Sequence, residues 1–197
     1  MKKEHIFLNI PYDTGYEKLL VALVATIVSH GAVPRMTLEI PDQGQGRMKK
    51  LFQLLSSCDG SFHDLSRVGL PARFNMPFEL GLAVALQIQT DEHKIYVLEK
   101  EPFRIQRTLS DINHLDPLIH KNSHLKMIAV VSGVLSRPSN VPALSEIRDL
   151  TTFLIKAIPK LKKQNLTQDF FTLKVFKDLL ALTIQEADSM NLIQHTE

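Results

Sequence analysis

Between Met76 and Thr90 the chain carries one charged residue, Glu79, set among Phe78, Leu80, Leu82, Val84, Leu86 and Ile88. A helix that is apolar all round predicts burial. A carboxylate carried into such surroundings is costly unless it is paired, hydrogen-bonded or protonated. Asn75 can cap this helix and Pro77 fits its first turn, so Glu79 lies near the helix N-terminus. The dipole there favours an anion by about 0.3–1 kcal/mol. Gly81 leaves room for a close approach of backbone or ligand. These conditions suit a nucleophile or a general acid/base whose ionisation is set by its environment. They equally suit a structural acid at a helix start, paired to Arg73 or Arg67, and composition weighs the two evenly.

A second group is Asp64-Leu65-Ser66-Arg67. Carboxylate, hydroxyl and guanidinium together can bind ribose hydroxyls or phosphate. The plainer alternative is a strand-end turn with an internal salt bridge. Other chemistries are not expected. His63, His114, His120 and His124 share no predicted helix face with carboxylates, which argues against a metal site. Ser66 lacks a Gly-x-Ser-x-Gly elbow. There is no Gly-x-Gly-x-x-Gly or Walker sequence, and Gly44-Gln45-Gly46 lacks the strand-to-helix phosphate setting. Cys58 ends an amphipathic stretch and reads as a packing residue.

The elements that must position these groups follow from hydrophobic pattern and punctuation. Strands are expected at 6–10, 33–40, 61–65 and 93–99, with helices at 16–30, 47–57 and 75–89 between them. Such alternation with short connections predicts an α/β doubly wound parallel sheet of about five strands, flavodoxin- or Rossmann-like. Further on, 103–112 is read as helical and 115–119 as a short fifth strand; 124–135 is read as a helix in preference to a central strand, for which 127–131 is apolar enough. Residues 137–142 have linker composition. Two amphipathic helices, 143–161 and 168–190, then form a helical hairpin. The expected division is an α/β nucleotide-processing domain, 1–137, and a helical extension, 143–197, for packing or oligomerisation. Ligands of open parallel sheets bind outside the carboxyl ends of the strands. That rule selects the loops 9–14, 64–75 and 99–103, and with them Asn9, Tyr12, Asp13, Asp64, Ser66, Arg67 and Asn75.

Composition narrows the class. The chain has 197 residues, 44% hydrophobic and 22% charged, which is globular composition. A net charge of +2 gives no reason to expect a nucleic-acid partner. One cysteine excludes an intrachain disulfide and fits a reducing cytoplasm. Met1 to His5 has no signal-peptide layout, and the longest apolar run, 19–28, is too short to span a bilayer, so no membrane association is expected.

The strand ending in Asn9-Ile10-Pro11-Tyr12-Asp13, the Asp64-Leu65-Ser66-Arg67 loop and the segment Asn75-Met76-Pro77-Phe78-Glu79-Leu80-Gly81-Leu82-Ala83 together resemble the nucleoside 2-deoxyribosyltransferase-like group. That group belongs to a wider Rossmannoid assembly with the TIR domains. The likeness covers roughly residues 5 to 100. It implies that Glu79 attacks or stabilises an anomeric carbon and that Asp64 orients the base or the ribose. It also implies that Asn9 and Tyr12 line the pocket, with Ser66, Arg67 and Asn75 as further substrate-binding candidates. The base-binding acidic and asparagine positions of those transferases have no counterpart identified here, so the resemblance implies glycosidic-bond cleavage more firmly than transfer. Related domains act as effectors in bacterial immunity, cleaving NAD or nucleotides. The leading expectation is therefore an enzyme acting on the N-glycosidic bond of a nucleotide or nucleoside. NAD is a candidate substrate and no cofactor is required. The alternatives are a nucleotide-binding sensor without catalysis, and a scaffold whose C-terminal helices drive homo-oligomerisation or bind a partner protein.

Overall fold

A computed structural model describes residues 3–40, 46–67, 74–109, 115–137 and 141–193. In chain order these form β1 (His5–Asn9), α1 (Glu17–Ser29), β2 (Val33–Met36), α2 (Arg47–Ser56), β3 (Gly60–Asp64), α3 (Asn75–Thr90), β4 (Lys94–Glu99), α4 (Arg104–Thr108), β5 (Leu118–Ile119), α5 (His124–Leu135), α6 (Leu144–Gln164) and α7 (Leu173–Ser189). The expected α/β class is observed: the five strands form one parallel sheet in the order β2-β1-β3-β4-β5. Strand order reverses between β1 and β3, which defines the switch point where ligands of such sheets bind.

The Cα trace divides into two compact units, which interleave along the chain. One holds 4–11 and 34–122, and so the sheet with α2, α3 and α4; the other holds 1–3, 12–33 and 123–197, and so α1, α5, α6 and α7.

In the sheet unit, register places Phe7 beside Ser61 and Asn9 beside His63, while Asp64 lies beside Leu98. Side chains alternate across a strand, so Phe7, Asn9, Ser61 and His63 share one face and Phe62 and Asp64 take the other. All five residues of β3 are buried, as a central parallel strand requires. On the first face, α2 and α3 close a core through Leu51, Leu55, Ala83 and Leu86 around Phe7. Leu80 packs with Leu65, Val97 and Ile105 in a second cluster. At the opposite end of the sheet from the switch point, Gly60 lets β4 come close. A Cβ there would stand 2.9 Å from the Lys94 carbonyl oxygen.

In the helical unit, every residue of α1 except Lys18 is buried, and α1 contacts α5, α6 and α7. Glu17 and Lys162 pair at 2.7 Å between α1 and α6. Thr172 caps α7 through the Val175 amide, and α6 packs against α7. Ser123 caps α5, which takes up the expected 124–135 span as helix.

Several expectations need correction. The second strand stops at Met36, because the Glu39 carboxylate accepts the Met36 amide at 2.9 Å and turns the chain into a 3-10 turn. The fifth strand shrinks from 115–119 to Leu118–Ile119. Asn75 does not cap α3: the Phe78 amide donates to the Phe74 carbonyl at 3.2 Å, so the helix opens one residue earlier and Asn75 is its exposed first residue. Nor is α3 buried all round. Leu80, Ala83 and Leu86 are its buried residues, while Phe78 and Ile88 are 56% and 80% exposed. Among the described residues, no helix is long and apolar enough to cross a membrane.

Candidate active site

The switch point is held together by Asn9, the last residue of β1. Its buried side-chain amide donates to the Met76 carbonyl in the first turn of α3, at 2.8 Å. That bond docks the start of α3 over the end of β1. It also orients the amide, because a carbonyl needs the NH₂ side and not the oxygen. The same NH₂ lies 3.0 Å from His63 Nδ1, so Nδ1 accepts and the His63 proton sits on Nε2. The His63 Nε2–H then donates to Ser61 Oγ at 2.8 Å, and Ser61 donates to His93 Nε2 at 2.9 Å. His93 Nδ1 carries the remaining proton and donates to the Cys58 carbonyl at 3.1 Å. Every proton in this relay is assigned by its neighbour. Both rings are held neutral: burial pushes His63 down to about 3 and also lowers His93. Asn9 Oδ1 is buried and has no hydrogen-bond partner among the described residues.

Glu79 stands one turn into α3, on the same side of the helix as Ala83 and Leu86 and therefore toward α2. It is half-buried, and that burial raises its carboxyl to about 7, against the opposing pull of Arg47 at the start of α2. A cation at a helix N-terminus is normally unfavourable, and here it faces an acid. Among the described residues the Glu79 carboxylate has no hydrogen bond or ion pair. Of the arginines expected to pair with it, Arg73 lies outside the described residues. Arg67 lines a cavity on the other side of α3.

Asp64 ends β3 on the opposite face from Asn9 and His63, fully buried. Its Oδ1 accepts the Ser66 amide at 2.8 Å, closing an Asx turn, and its Oδ2 lies 3.2 Å from His120 Nε2. His120 Nδ1 accepts the Asn122 amide, which leaves the ring proton on Nε2, close to Asp64 but without a hydrogen bond to it. The Ser66 hydroxyl is buried without a partner among the described residues. The expected group therefore separates: Asn9 holds the first turn of α3, one turn before Glu79, while Asp64 and Ser66 belong to a turn on the other face of the sheet. Tyr12 belongs to the helical unit, where its ring stacks on Phe171 at 5.2 Å with planes 13° apart.

Arg47, whose charge acts on Glu79, and Ser61 and His93, which carry the relay away from the switch point, were not anticipated. For Ser61 a signal existed. Polar residues alternating inside a buried strand must find partners, and Ser61-Phe62-His63 is such an alternation. Among the described residues no group of three or more His, Cys, Asp and Glu side chains is gathered for a metal. No protein-family model matches the chain, and no curated protein matches it.

Proposed function

We propose that the protein cleaves the N-glycosidic bond of a nucleotide or nucleoside, with Glu79 as the catalytic carboxylate and NAD among the candidate substrates. The observation that carries the reading is positional. A half-buried carboxylate with no hydrogen bond or ion pair among the described residues stands one turn into α3, and Asn9 ties the first turn of that helix to the strand-order switch point. A carboxylate held there is suited to stabilise an oxocarbenium-like C1′. It can equally form a ribosyl ester, as the C1′–N bond breaks and its electron pair leaves with the base. The base takes its proton from solvent, and water then hydrolyses the ester. The ionised form does this work, so the rate rises with pH through about 7 and levels off above it. Asp64, buried and accepting the Ser66 amide, is assigned to holding the turn that carries Ser66 and Arg67 in the substrate region. The protein is incubated with NAD and with nucleosides, and the products are separated. Release of free base by wild type and its loss in Glu79→Gln support the reading. Equal rates in Glu79→Gln and wild type overturn it.

A non-catalytic nucleotide sensor is the second reading. It is favoured by the cavity that opens beside α3 without Glu79 in its wall. Exposed Leu144, Phe153 and Ile184 on α6 and α7 support a role for those helices in association with a partner or a second copy. A cytoplasmic immunity effector fits either reading.

A further inference from the structure

On the side of α3 away from α2, a cavity of about 250 Å³ opens at the carboxyl ends of β3 and β4. Its walls are apolar, with Leu65, Met76, Pro77, Ile105 and Leu109 among them. One end is polar. Arg104 donates through Nε to Glu99 at 2.9 Å and through Nη2 to the same carboxylate and to the Leu65 carbonyl. Glu99, 1% exposed, also accepts the amides of Lys100 and Glu101. The charge of this ion pair is therefore cancelled within the cavity wall. Arg67, in the same wall, has a partner of its own, whereas the two N–H groups of Arg104 Nη1 have no partner among the described residues.

We propose that this cavity is a second ligand site, which takes the flat ring of a neutral heteroaromatic compound of the nucleobase kind. An apolar cavity of about 150 Å³ suffices to hold benzene, so this one accommodates a fused two-ring system. Aliphatic walls favour an uncharged ring face. A carboxylate or phosphate in the same place would meet a guanidinium whose charge Glu99 already offsets, whereas a ring nitrogen or carbonyl needs only the Nη1 donors. Phe74, in the cavity wall and 77% exposed, supplies an aromatic face at the entrance. The backbone supports the same place. Phe103, which opens α4 immediately before Arg104, is held at φ 62, a region costly for a bulky residue and often retained at ligand clamps. The site is separate from Glu79. Glu79 does not line it, and Pro77, two positions before Glu79 in α3, points to the other side of the helix.

The test titrates methyl-labelled full-length protein with adenine, and separately with benzoate, following methyl resonances. Adenine at millimolar concentration should shift Leu65, Ile105 and Leu109 saturably and leave Leu51 and Leu55 in place. Ile105→Phe should weaken adenine binding at least tenfold. Thr108→Phe, at an exposed wall position, should do the same in a variant whose fold is not at risk. Glu79→Gln should change the affinity less than twofold, so loss of glycosidic activity and loss of this binding are separable results. Absence of a saturable shift at Leu65, Ile105 and Leu109 overturns the proposal. So does adenine binding unchanged in both filled variants, and benzoate binding more tightly than adenine overturns the assignment to a neutral ring.

Discussion

Acidification offers a direct measurement of the buried histidine relay. In the unfolded chain His63 titrates near 6.5, whereas in the folded protein burial holds it at about 3. A group whose folded value is depressed contributes stability above its unfolded value and loses it as pH falls toward the folded one. Between pH 6.5 and 3 the unfolded chain therefore binds a proton that the native protein refuses. One pKa unit is 1.36 kcal/mol, so His63 alone costs about 2 kcal/mol of stability at pH 5 relative to pH 7.5. His93, also lowered by burial, acts in the same direction. Glu79, raised to about 7, acts in the opposite one, so the wild-type profile is a sum. The variant His63→Gln isolates the histidine. A glutamine can accept from Asn9 and donate to Ser61 through its amide, yet it cannot titrate. Urea unfolding at pH 7.5 and pH 5 should show wild type losing about 2 kcal/mol more than His63→Gln. With a slope of roughly 2 kcal/mol per molar, that is a difference of about 1 M in the midpoint shift. If the variant loses as much stability as wild type over this interval, the relay is not neutral and the proton assignment fails.

Other outcomes follow from single positions. For Glu79, a raised folded value means stability that is complete below about 4.5 and lost as pH rises through about 7. Glu79→Gln should therefore be more stable than wild type at pH 8, with the difference gone near pH 4.5, as read by denaturant midpoints. At Gly81 a Cβ meets nothing within 4 Å, so Gly81→Ala should stabilise the protein by about 0.5–1 kcal/mol. At Gly60 the added Cβ would lie 2.9 Å from the Lys94 carbonyl, so Gly60→Ala should cost about 1–3 kcal/mol and lower the thermal midpoint.

Much of the architecture was legible because period and punctuation coincide in it. The run 6–10 is apolar and bounded by Pro11, and Gly31, at φ 80, ends the first helix where its residue type implies. The helix at 124–135 is legible once Ser123 is taken as its cap. Glu79 was legible for a different reason: one charge in fifteen residues has to be accounted for. What eluded reading depends on partners distant in the chain. Ser61 and His63 are visibly polar in a buried strand, but His93, thirty-two residues from Ser61, becomes their partner only through the β3–β4 register. Asp64 and Glu79 look equivalent as acids near strand ends. The pleat sends Asp64 to the far face, where His120 meets it. The apolar length of α3 predicts burial, and the exposure of Phe78 and Ile88 departs from that because α2 and α4 cover parts of the helix and leave the stripe between them open.

The relay has a direction, from the Asn9 amide to the Cys58 carbonyl, and the direction has a consequence in time. Reversing it would turn the amide oxygen of Asn9 against the Met76 carbonyl, so neither imidazole can change tautomer by itself. A ring proton can escape only when the strands beside it open, which ties its lifetime to opening of the sheet and not to motion of the side chain. The Nε2–H of His63 and the Nδ1–H of His93 should therefore survive as sharp downfield proton resonances at neutral pH. Their exchange with deuterated solvent should keep pace with the backbone amides of β3.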